Sequence, residues 1–319
     1  MTDGGSLFGS RHEPRLGETG EFQKHLSYWL QDCYMADLTE DTLKTYSKML
    51  RWFCLHLETL DPVPAFNEIE SNHISGYLAS IKKRGVAPRT VKGRFAAIHT
   101  FFAWAKTEKY LTINPAAEMK RPRAPKKPKR FLTREEFEKI LKECYEDTFL
   151  GVRRLAMFRL LLTSGIRQRE LVKLDRDDLD FQRGLVVVRY GKGQKQRQAT
   201  FAKSAQRAMK TYLRWRDETP DSFPGLWVNC LIERQPMTYR GIENDIRRVF
   251  SYAGVEIKDK AHSFRRTFAA NLLGEKIDRE YVQTLGGWET ASMLDQYVSW
   301  KKTENDKALE AVRNVDPWG

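Results

Sequence analysis

The chain has 319 residues, of which 41% are hydrophobic, and its formal net charge is +13. This length predicts about two domains with ordinary hydrophobic cores, and the positive charge favours a polyanionic partner. No apolar run approaches the roughly twenty residues of a membrane span, and the first residues lack the apolar core of a signal peptide. We therefore expect an intracellular, cytoplasmic protein with no membrane partner.

Residues 1–22 are rich in glycine and charge, which predicts a disordered segment. Apolar residues spaced three and four positions apart then predict two amphipathic helices, one between Leu38 and Leu60 behind an N-capping Thr39, and one after Pro88. Their apolar stripes are Leu43, Tyr46, Leu50, Phe53 and Leu57, and Val91, Phe95, Ile98, Phe102 and Ala105. A helical first domain is therefore expected over residues 23–116.

A run of positive charge follows this domain. Residues 120–130 contain seven lysines and arginines, no acidic residue and three prolines, which prevent helix and sheet. We therefore predict an extended linker over residues 117–130. Such a run either lies along phosphates or is simply solvated.

The second domain is expected over residues 131–300 and opens with a capping box, Thr133-Arg-Glu-Glu136. A helix is predicted from there to about Leu162, and Gly165 interrupts the pattern. Arg167 then begins a helix over residues 168–174. Glu170, one turn further, either holds the Arg167 guanidinium or supports the helix terminus.

Two β-type runs, residues 185–190 and 198–201, flank the sequence Gly191-Lys192-Gly193. This pattern predicts a hairpin with Lys192 at its tip, and Lys195 competes for any role of that lysine. Helices are predicted again over residues 242–250, 262–274 and 279–285. His262 and Arg265, three positions apart, then share one helix face.

Several of these side chains suit a metal-free attack on a phosphodiester. Guanidinium groups match the charge that develops on the non-bridging oxygens, a role that suits Arg167 and Arg265. A lysine or histidine can protonate the departing oxygen, and a tyrosine can attack and remain as an ester. Lys192, His262 and Tyr297 fit those roles.

Any one of these residues alone would indicate ordinary packing or an ordinary surface. Tyr297 is one of twelve tyrosines, and Trp288 is one of eight tryptophans. Trp288 and Tyr297 are nine residues apart, and both follow His262 and Arg265. This order favours a catalytic set. The four cysteines, Cys33, Cys54, Cys144 and Cys230, have neither paired nor metal-ligand spacing, so we expect reduced structural thiols and no metal or other cofactor.

The motifs in this order resemble the tyrosine recombinase (integrase) family over roughly residues 23–300. They are Thr163-Ser-Gly-Ile-Arg167, Gly191-Lys192-Gly193, His262-Ser-Phe-Arg265, and Leu285-Gly-Gly-Trp288 with Tyr297. Most members carry histidine where this chain has Trp288, and the Gly-Gly-Trp form is similar to that of Cre recombinase. An indole N–H can donate to a phosphate oxygen but cannot exchange a proton, so Trp288 is expected to position rather than titrate.

The resemblance implies a mainly α fold with a small β-hairpin in the C-terminal domain, the two domains forming a C-shaped clamp on DNA. It also implies a site-specific recombinase. Tyr297 attacks the scissile phosphate and leaves a 3′-phosphotyrosyl link, Lys192 protonates the 5′ oxygen, and a Holliday junction follows. Arg167, His262, Arg265 and Trp288 stabilise the transition state, and Glu170 supports them.

The implied partners are double-stranded DNA with short inverted-repeat core sites, three further copies in a tetramer, and an accessory or partner recombinase. Binding to such DNA in turn implies a nucleoid-associated protein. The expected DNA contacts are Arg89, Lys92, Arg94, Lys120, Arg121, Arg123, Lys126, Lys127, Lys129 and Arg130. For the three on the second predicted helix, Arg89, Lys92 and Arg94, the alternative is an ordinary solvated helix face. The tail over residues 301–319 either docks into a neighbouring protomer or packs on its own domain.

Three rival functions fit parts of the same pattern. A type IB topoisomerase or a telomere-resolving enzyme uses a similar active site, and an architectural DNA-binding protein would keep the fold without turnover. The sequence does not separate integration of a mobile element, cointegrate resolution and dimer resolution.

Overall fold

Two compact units, Met1–Lys127 and Pro128–Gly319, divide the chain in the computed structural model. The structure describes residues 20–125, 130–189, 196–218, 223–229 and 234–295. The division between the units falls inside the predicted linker, where residues 121–125 form neither helix nor strand. Both units are helical and the second carries a small sheet, so the predicted mainly α fold class is confirmed.

Four α-helices lie in the described part of the first unit: α1 (Gly20–Met35), α2 (Glu40–Leu57), α3 (Ser71–Lys83) and α4 (Pro88–Thr107). The predicted helices are α2 and α4, with Thr39 at the N-cap of α2 and Pro88 in the first turn of α4. The predicted stripe of α4 is buried along its whole length. Proline fits there because the first turn needs no N–H donor.

The predicted disorder of residues 1–22 is wrong for its last three residues, because α1 begins at Gly20. Phe22 is 1% exposed, and its ring centroid lies 5.1 Å from that of Phe101 and 5.9 Å from that of Phe53. Burying one such ring stabilises the fold by about 2 kcal/mol, which offsets the poor helix propensity of glycine. Residues 1–19 lie outside the described residues.

The helix predicted from Thr133 to Leu162 is wrong in one respect, because two helices occupy this stretch: α5 (Arg134–Lys142) and α6 (Phe149–Ser164). The capping box of Thr133 and Glu136 is formed as predicted. The break has a local cause, since the Thr148 hydroxyl accepts from the Gly151 N–H and starts a new helix. A Cβ on Gly151 would lie 1.6 Å from the Tyr145 carbonyl oxygen, so the turn needs glycine here.

The remaining α-helices among the described residues of the second unit are α7 (Gln168–Val172), α8 (Lys203–Asp217), α9 (Tyr239–Tyr252), α10 (Lys260–Gly274) and α11 (Arg279–Gly286). The predicted helices α9, α10 and α11 are confirmed. The predicted helix over residues 168–174 ends two residues earlier, at Val172. The sequence patterns did not predict α1, α3 and α8.

The sheet is antiparallel, with β1 (Leu179–Asp180), β2 (Leu185–Val188) and β3 (Arg197–Thr200) in that order. Val186 faces Ala199 and Val188 faces Arg197, which confirms the pairing of the two predicted strands. The strand predicted over 185–190 ends two residues early, at Val188, and the strand predicted over 198–201 lies one residue earlier at both ends. The strand β1 was not predicted. The turn over residues 190–195 lies outside the described residues.

A buried ion-pair group ties α6 to α9. Asp245 accepts from Arg153 Nη2 at 2.5 Å and from Arg154 Nη2 at 2.9 Å, and Arg153 also donates to the Val228 carbonyl at 2.9 Å. Removing one partner of such a group leaves an uncompensated charge at a cost of about 3 to 5 kcal/mol. These contacts hold α6 against α9, and Gly165 and Arg167 follow the C-terminal end of α6.

Candidate active site

The C-terminal end of α6 sets the position of the first predicted catalytic arginine. Gly165 caps the helix with φ +62°, and a Cβ there would lie 2.3 Å from the Phe268 ring. Only glycine combines that conformation with so close a neighbour. The chain then turns into α7 with Arg167 at the N-cap.

Glu170 holds Arg167 in two ways at once. Its Oε2 accepts from the Arg167 backbone N–H at 2.7 Å, and its Oε1 accepts from Arg167 Nη1 at 2.8 Å. The sequence left two alternatives for Glu170, holding the guanidinium or supporting the helix terminus. Both are true at the same time.

A second arginine completes the shell of this carboxylate. Arg197 of β3 donates from Nη1 to Oε1 at 2.9 Å and from Nη2 to Oε2 at 2.8 Å, which is the paired geometry of guanidinium and carboxylate. Burial alone disfavours the charged carboxylate, but the hydrogen bonds and charge of Arg197, followed by those of Arg167, outweigh it and hold the pKa of Glu170 below its usual value. Glu170 is therefore an anion at neutral pH.

Arg265 and Trp288 form the second half of the site. Arg265 Nη1 donates to the Gly165 carbonyl at 2.5 Å and to the Gly286 carbonyl at 2.6 Å. The Arg265 guanidinium carbon lies 3.8 Å from the centre of the Trp288 ring, a cation–π contact. Both side chains are buried, so the ring fixes the plane of the guanidinium.

Three consecutive carbonyls at the end of α11 each accept from a different arginine. Arg197 Nε donates to Leu285 at 3.4 Å, Arg265 to Gly286 at 2.6 Å, and Arg167 Nη2 to Gly287 at 2.9 Å. The C-terminal end of a helix presents carbonyl groups that no residue of the same helix satisfies, and positive charge is stabilised there. The structure thus brings the predicted residues Arg167, Arg265 and Trp288 together.

His262 is an exposed residue in the first turn of α10, one turn before Arg265. It lines a cleft of about 730 Å³ together with Gln168, the neighbour of Arg167, and with Tyr239, Arg247 and Lys260. The predicted shared helix face of His262 and Arg265 is therefore a solvent-facing position followed by a buried one. Lys192, Lys195 and Tyr297 lie outside the described residues.

The predicted DNA contacts of the first unit differ in exposure. Arg89 and Lys92 are exposed on α4. Arg94 is half-buried and donates to the Tyr77 hydroxyl at 2.9 Å, and its guanidinium lies 5.8 Å from the Trp52 ring centre. Arg94 therefore has a packing role inside the unit that the sequence did not indicate.

The predicted linker contacts fall into three groups. Lys120, Arg121 and Arg123 are exposed. Arg130 forms an ion pair with Glu136, so its charge is partly compensated within the second unit. The remaining three, Lys126, Lys127 and Lys129, lie outside the described residues.

Arg197 is the residue of this site that sequence reasoning missed. A signal for it exists in the strand pattern, because alternate residues of a strand share a face and Ala199, two positions on, is buried. A charged residue on the buried face of a strand requires an ionic partner. Nothing in the sequence names that partner, because Glu170 lies 27 positions earlier.

The three described cysteines, Cys33, Cys54 and Cys144, are thiols rather than disulfides. Burial raises the pKa of Cys144 to about 12, which makes this thiol unreactive. Among the described residues, no cluster of three His, Cys, Asp or Glu side chains could hold a metal ion. In the same part of the chain, no helix is long and apolar enough to cross a membrane.

Two family models match the sequence. Residues 130–304 match the phage integrase family, and residues 29–109 match the phage integrase N-terminal SAM-like domain. The first match alone covers more than half of the chain. The chain therefore belongs to the phage integrase family.

Two curated relatives are named as tyrosine recombinases. The chain is 28% identical over 264 residues to the tyrosine recombinase XerD of Listeria innocua, which covers 82% of this chain and 88% of the relative. It is 30% identical over 267 residues to the tyrosine recombinase XerC of Thermodesulfovibrio yellowstonii, which covers 80% and 84%. The protein is accordingly an enzyme of site-specific DNA recombination, a tyrosine recombinase, as the motifs indicated.

Solved structures agree on the fold. A lambda integrase dimer bound to a COC′ core site matches with a TM-score of 0.69 at 18% identity and covers 86% of this chain and 94% of that one. The XerH recombinase bound to a palindromic difH substrate matches with a TM-score of 0.69 at 19% identity and covers 97% and 91%. At these identities the likeness concerns the fold alone, which is that of two-domain tyrosine recombinases.

Proposed function

We propose that this recombinase cuts DNA through a covalent tyrosyl intermediate in which Arg167 and Arg265 hold the scissile phosphate. The Tyr297 hydroxyl loses its proton to solvent and attacks phosphorus, so that a P–O bond to tyrosine forms and the P–O bond to the 5′ oxygen breaks. Lys192 gives its proton to that oxygen. The 5′ hydroxyl of a partner strand then reverses the step, and a second exchange resolves the Holliday junction.

The observation that carries this proposal is the pairing of two guanidinium groups on one helix end. Arg167 and Arg265 donate to the neighbouring carbonyls of Gly287 and Gly286 at 2.9 Å and 2.6 Å. Two fixed positive groups side by side suit the charge that builds up on the two non-bridging oxygens, because they need no reorganisation during the reaction. His262, at the cleft one turn away, and the Trp288 N–H supply further donors in the proposal.

Because strand exchange conserves the phosphate bond energy in the ester, the proposed reaction needs no ATP, and it assigns no role to a metal ion or other cofactor. The substrate we propose is duplex DNA with short inverted repeats bound by four copies, with an accessory or partner recombinase where strand order is imposed. The exposed residues Arg89, Lys92, Lys120, Arg121 and Arg123 support phosphate contact outside the active site. A cytoplasmic location at the nucleoid follows from this substrate.

Covalent capture tests the proposal. Wild-type protein and the Tyr297→Phe variant are incubated with sheared DNA of the source organism, the mixture is denatured, and DNA that stays attached to protein is sequenced. We expect wild-type adducts at one short inverted repeat and no adducts with Tyr297→Phe, which should still bind DNA.

Other outcomes would favour the rivals. Adducts scattered without a consensus would favour a topoisomerase-like activity, and hairpin-ended products would favour a telomere-resolving enzyme. Tight binding without any adduct would favour an architectural protein. Adducts that persist in Tyr297→Phe would move the nucleophile to another residue.

A further inference from the structure

We propose that Arg197 is a positioning residue for recombination, which acts on the phosphate through Glu170 and Arg167. This inference rests on the proposed function of Arg167. Arg197 follows the predicted Lys192 hairpin turn in the sequence, and no motif of the catalytic set includes it.

The hydrogen bonds of Glu170 show why one arginine depends on the other. A carboxylate offers about four acceptor positions. Here each oxygen accepts one hydrogen bond from Arg197 and one from Arg167. The Glu170 side chain is 3% exposed. Glu170 therefore cannot turn towards water when one arginine is lost. Its negative charge would instead draw the remaining guanidinium closer and change its position.

Exposure orders the three residues from the interior outward. The Arg197 side chain is 12% exposed and that of Arg167 is 25% exposed. Arg167 is thus the member of the pair that faces solvent, where a phosphate would bind. Arg197 lies behind it, and a Cβ on Gly287 would come within 2.7 Å of Arg197 Nε, so Arg197 also packs against the chain that leads to Trp288.

Charge gives Arg197 a second role. Two guanidinium groups share one carboxylate, so the group keeps one net positive charge. Without Arg197, Glu170 would neutralise Arg167, and the phosphate would meet a neutral pair. A phosphate is stabilised by net positive charge in a site of low dielectric constant, so the charge balance of the group affects the rate of cleavage.

The experiment measures single-turnover formation of the covalent complex on the duplex fragment that the wild-type protein captures, together with affinity for that fragment. Arg197→Ala should cleave roughly ten- to a hundredfold more slowly, as expected when a reacting group is misplaced at a distance from the mutation. DNA affinity should change less than the rate. The double variant Arg197→Ala/Glu170→Gln should cleave faster than Arg197→Ala, because it restores one net positive charge.

This rescue separates an effect of Arg197 on the charge at Arg167 from a purely structural role, because two losses of structure would make the double variant worse. Arg176→Ala is the matched control, since it removes an arginine that pairs with Asp217 at 2.8 Å at the far end of α8. It should cleave at the wild-type rate. If Arg197→Ala fails to fold, Arg197→Lys keeps the charge but loses the paired geometry, and it should still cleave more slowly than wild type.

The results distinguish failure of the proposed function from failure of this inference. Wild-type protein without adducts would overturn the proposed function and, with it, this inference. Wild-type adducts with Arg197→Ala or Arg197→Lys as fast as wild type would overturn the inference alone. A double variant slower than Arg197→Ala would reduce Arg197 to a structural residue.

Discussion

Glu170 is the residue on which the geometry of Arg167 depends. It is buried and charged, and a buried carboxylate is stable only when its hydrogen bonds and its charge are both compensated. Two arginines, one at the N-cap of α7 and one on β3, provide that compensation. The ion-pair group is thus both a structural tie and the support of a proposed catalytic side chain.

The Glu170→Gln variant should therefore lose stability in a pH-dependent way. At pH 7 we expect a loss of about 3 kcal/mol in the free energy of unfolding, because two arginines lose their common anion. The folded pKa of Glu170 lies below its unfolded value, so its contribution is complete above the unfolded value of about 4.3 and disappears as pH falls through the folded pKa. Urea unfolding at pH 7 and pH 4 measures both proteins, and the difference should shrink at pH 4. A difference that stays constant would contradict the lowered pKa.

Trp288 makes two contributions that a single substitution can separate. Its ring stacks on Arg265, and its N–H is proposed to donate to a phosphate oxygen. Trp288→Phe keeps an aromatic face over Arg265 and loses the N–H. We expect cleavage about tenfold slower, since a hydrogen bond to a charged group contributes about 1.5 to 3 kcal/mol.

The control for this change is Trp288→His, which keeps a ring N–H. Cleavage by Trp288→His should depend on pH near the ordinary imidazole pKa of about 6.5, whereas wild-type cleavage should show no titration of residue 288. A Trp288→Phe variant as fast as wild type would leave Trp288 with stacking alone.

At the scale of elements, Gly165 joins α6 to the site. It ends the helix in a left-handed conformation, leaves room for Phe268 of α10, and presents its carbonyl to Arg265. One residue thus sets the direction of the chain, the distance between two helices and the position of a guanidinium.

Gly165→Ala should destabilise the protein by roughly 2 to 5 kcal/mol. The left-handed conformation costs an alanine about 1 to 2 kcal/mol, and overpacking against Phe268 adds about 1 to 3. Gly254 is the matched control, because it has φ +64° but open space around its Cβ position. Gly254→Ala should lose only the backbone part. Chemical denaturation of both variants gives the two losses, and equal values would mean that Phe268 moves aside freely.

Local patterns predicted those elements that carry an amphipathic stripe or a cap. The helices α2, α4, α9, α10 and α11 and the pairing of β2 with β3 follow from periodicity, and the break at Gly165 follows from glycine itself. The missed break between α5 and α6 depends on the close approach of Gly151 to Tyr145. That contact belongs to the local turn that Thr148 caps, which the helical periodicity of the stretch does not show.

The residues of the candidate site also fall into those that local sequence patterns predicted and those that they did not. Arg167, Arg265 and Trp288 were predicted from motif order, and the structure brings them together. Arg197 was missed because its role is defined by Glu170, which lies far away in the sequence. The roles of Lys192 and Tyr297 stay predictions that rest on the sequence.

At the scale of the whole molecule, the net charge of +13 is unevenly distributed, and seven positive charges lie in residues 120–130. A cation that already pairs with a carboxylate releases fewer counterions when it meets a phosphate. Exposed linker cations should therefore determine the salt dependence of DNA binding more than Arg130, which pairs with Glu136.

Substitution of Lys120, Arg121 and Arg123 by glutamine should weaken binding to duplex DNA of any sequence. If all three contact phosphates, the slope of log affinity against log salt should fall by about 2.7, because each contact contributes about 0.9. The single variant Arg130→Gln should change the slope by clearly less than 0.9. Titration of a random-sequence duplex at several salt concentrations measures both slopes. An unchanged slope in the triple variant would show that this part of the linker is only solvated, and a full unit of change in Arg130→Gln would show that DNA displaces Glu136. Because the probe carries no core site, the result is independent of the cleavage chemistry and tests the charge distribution by itself.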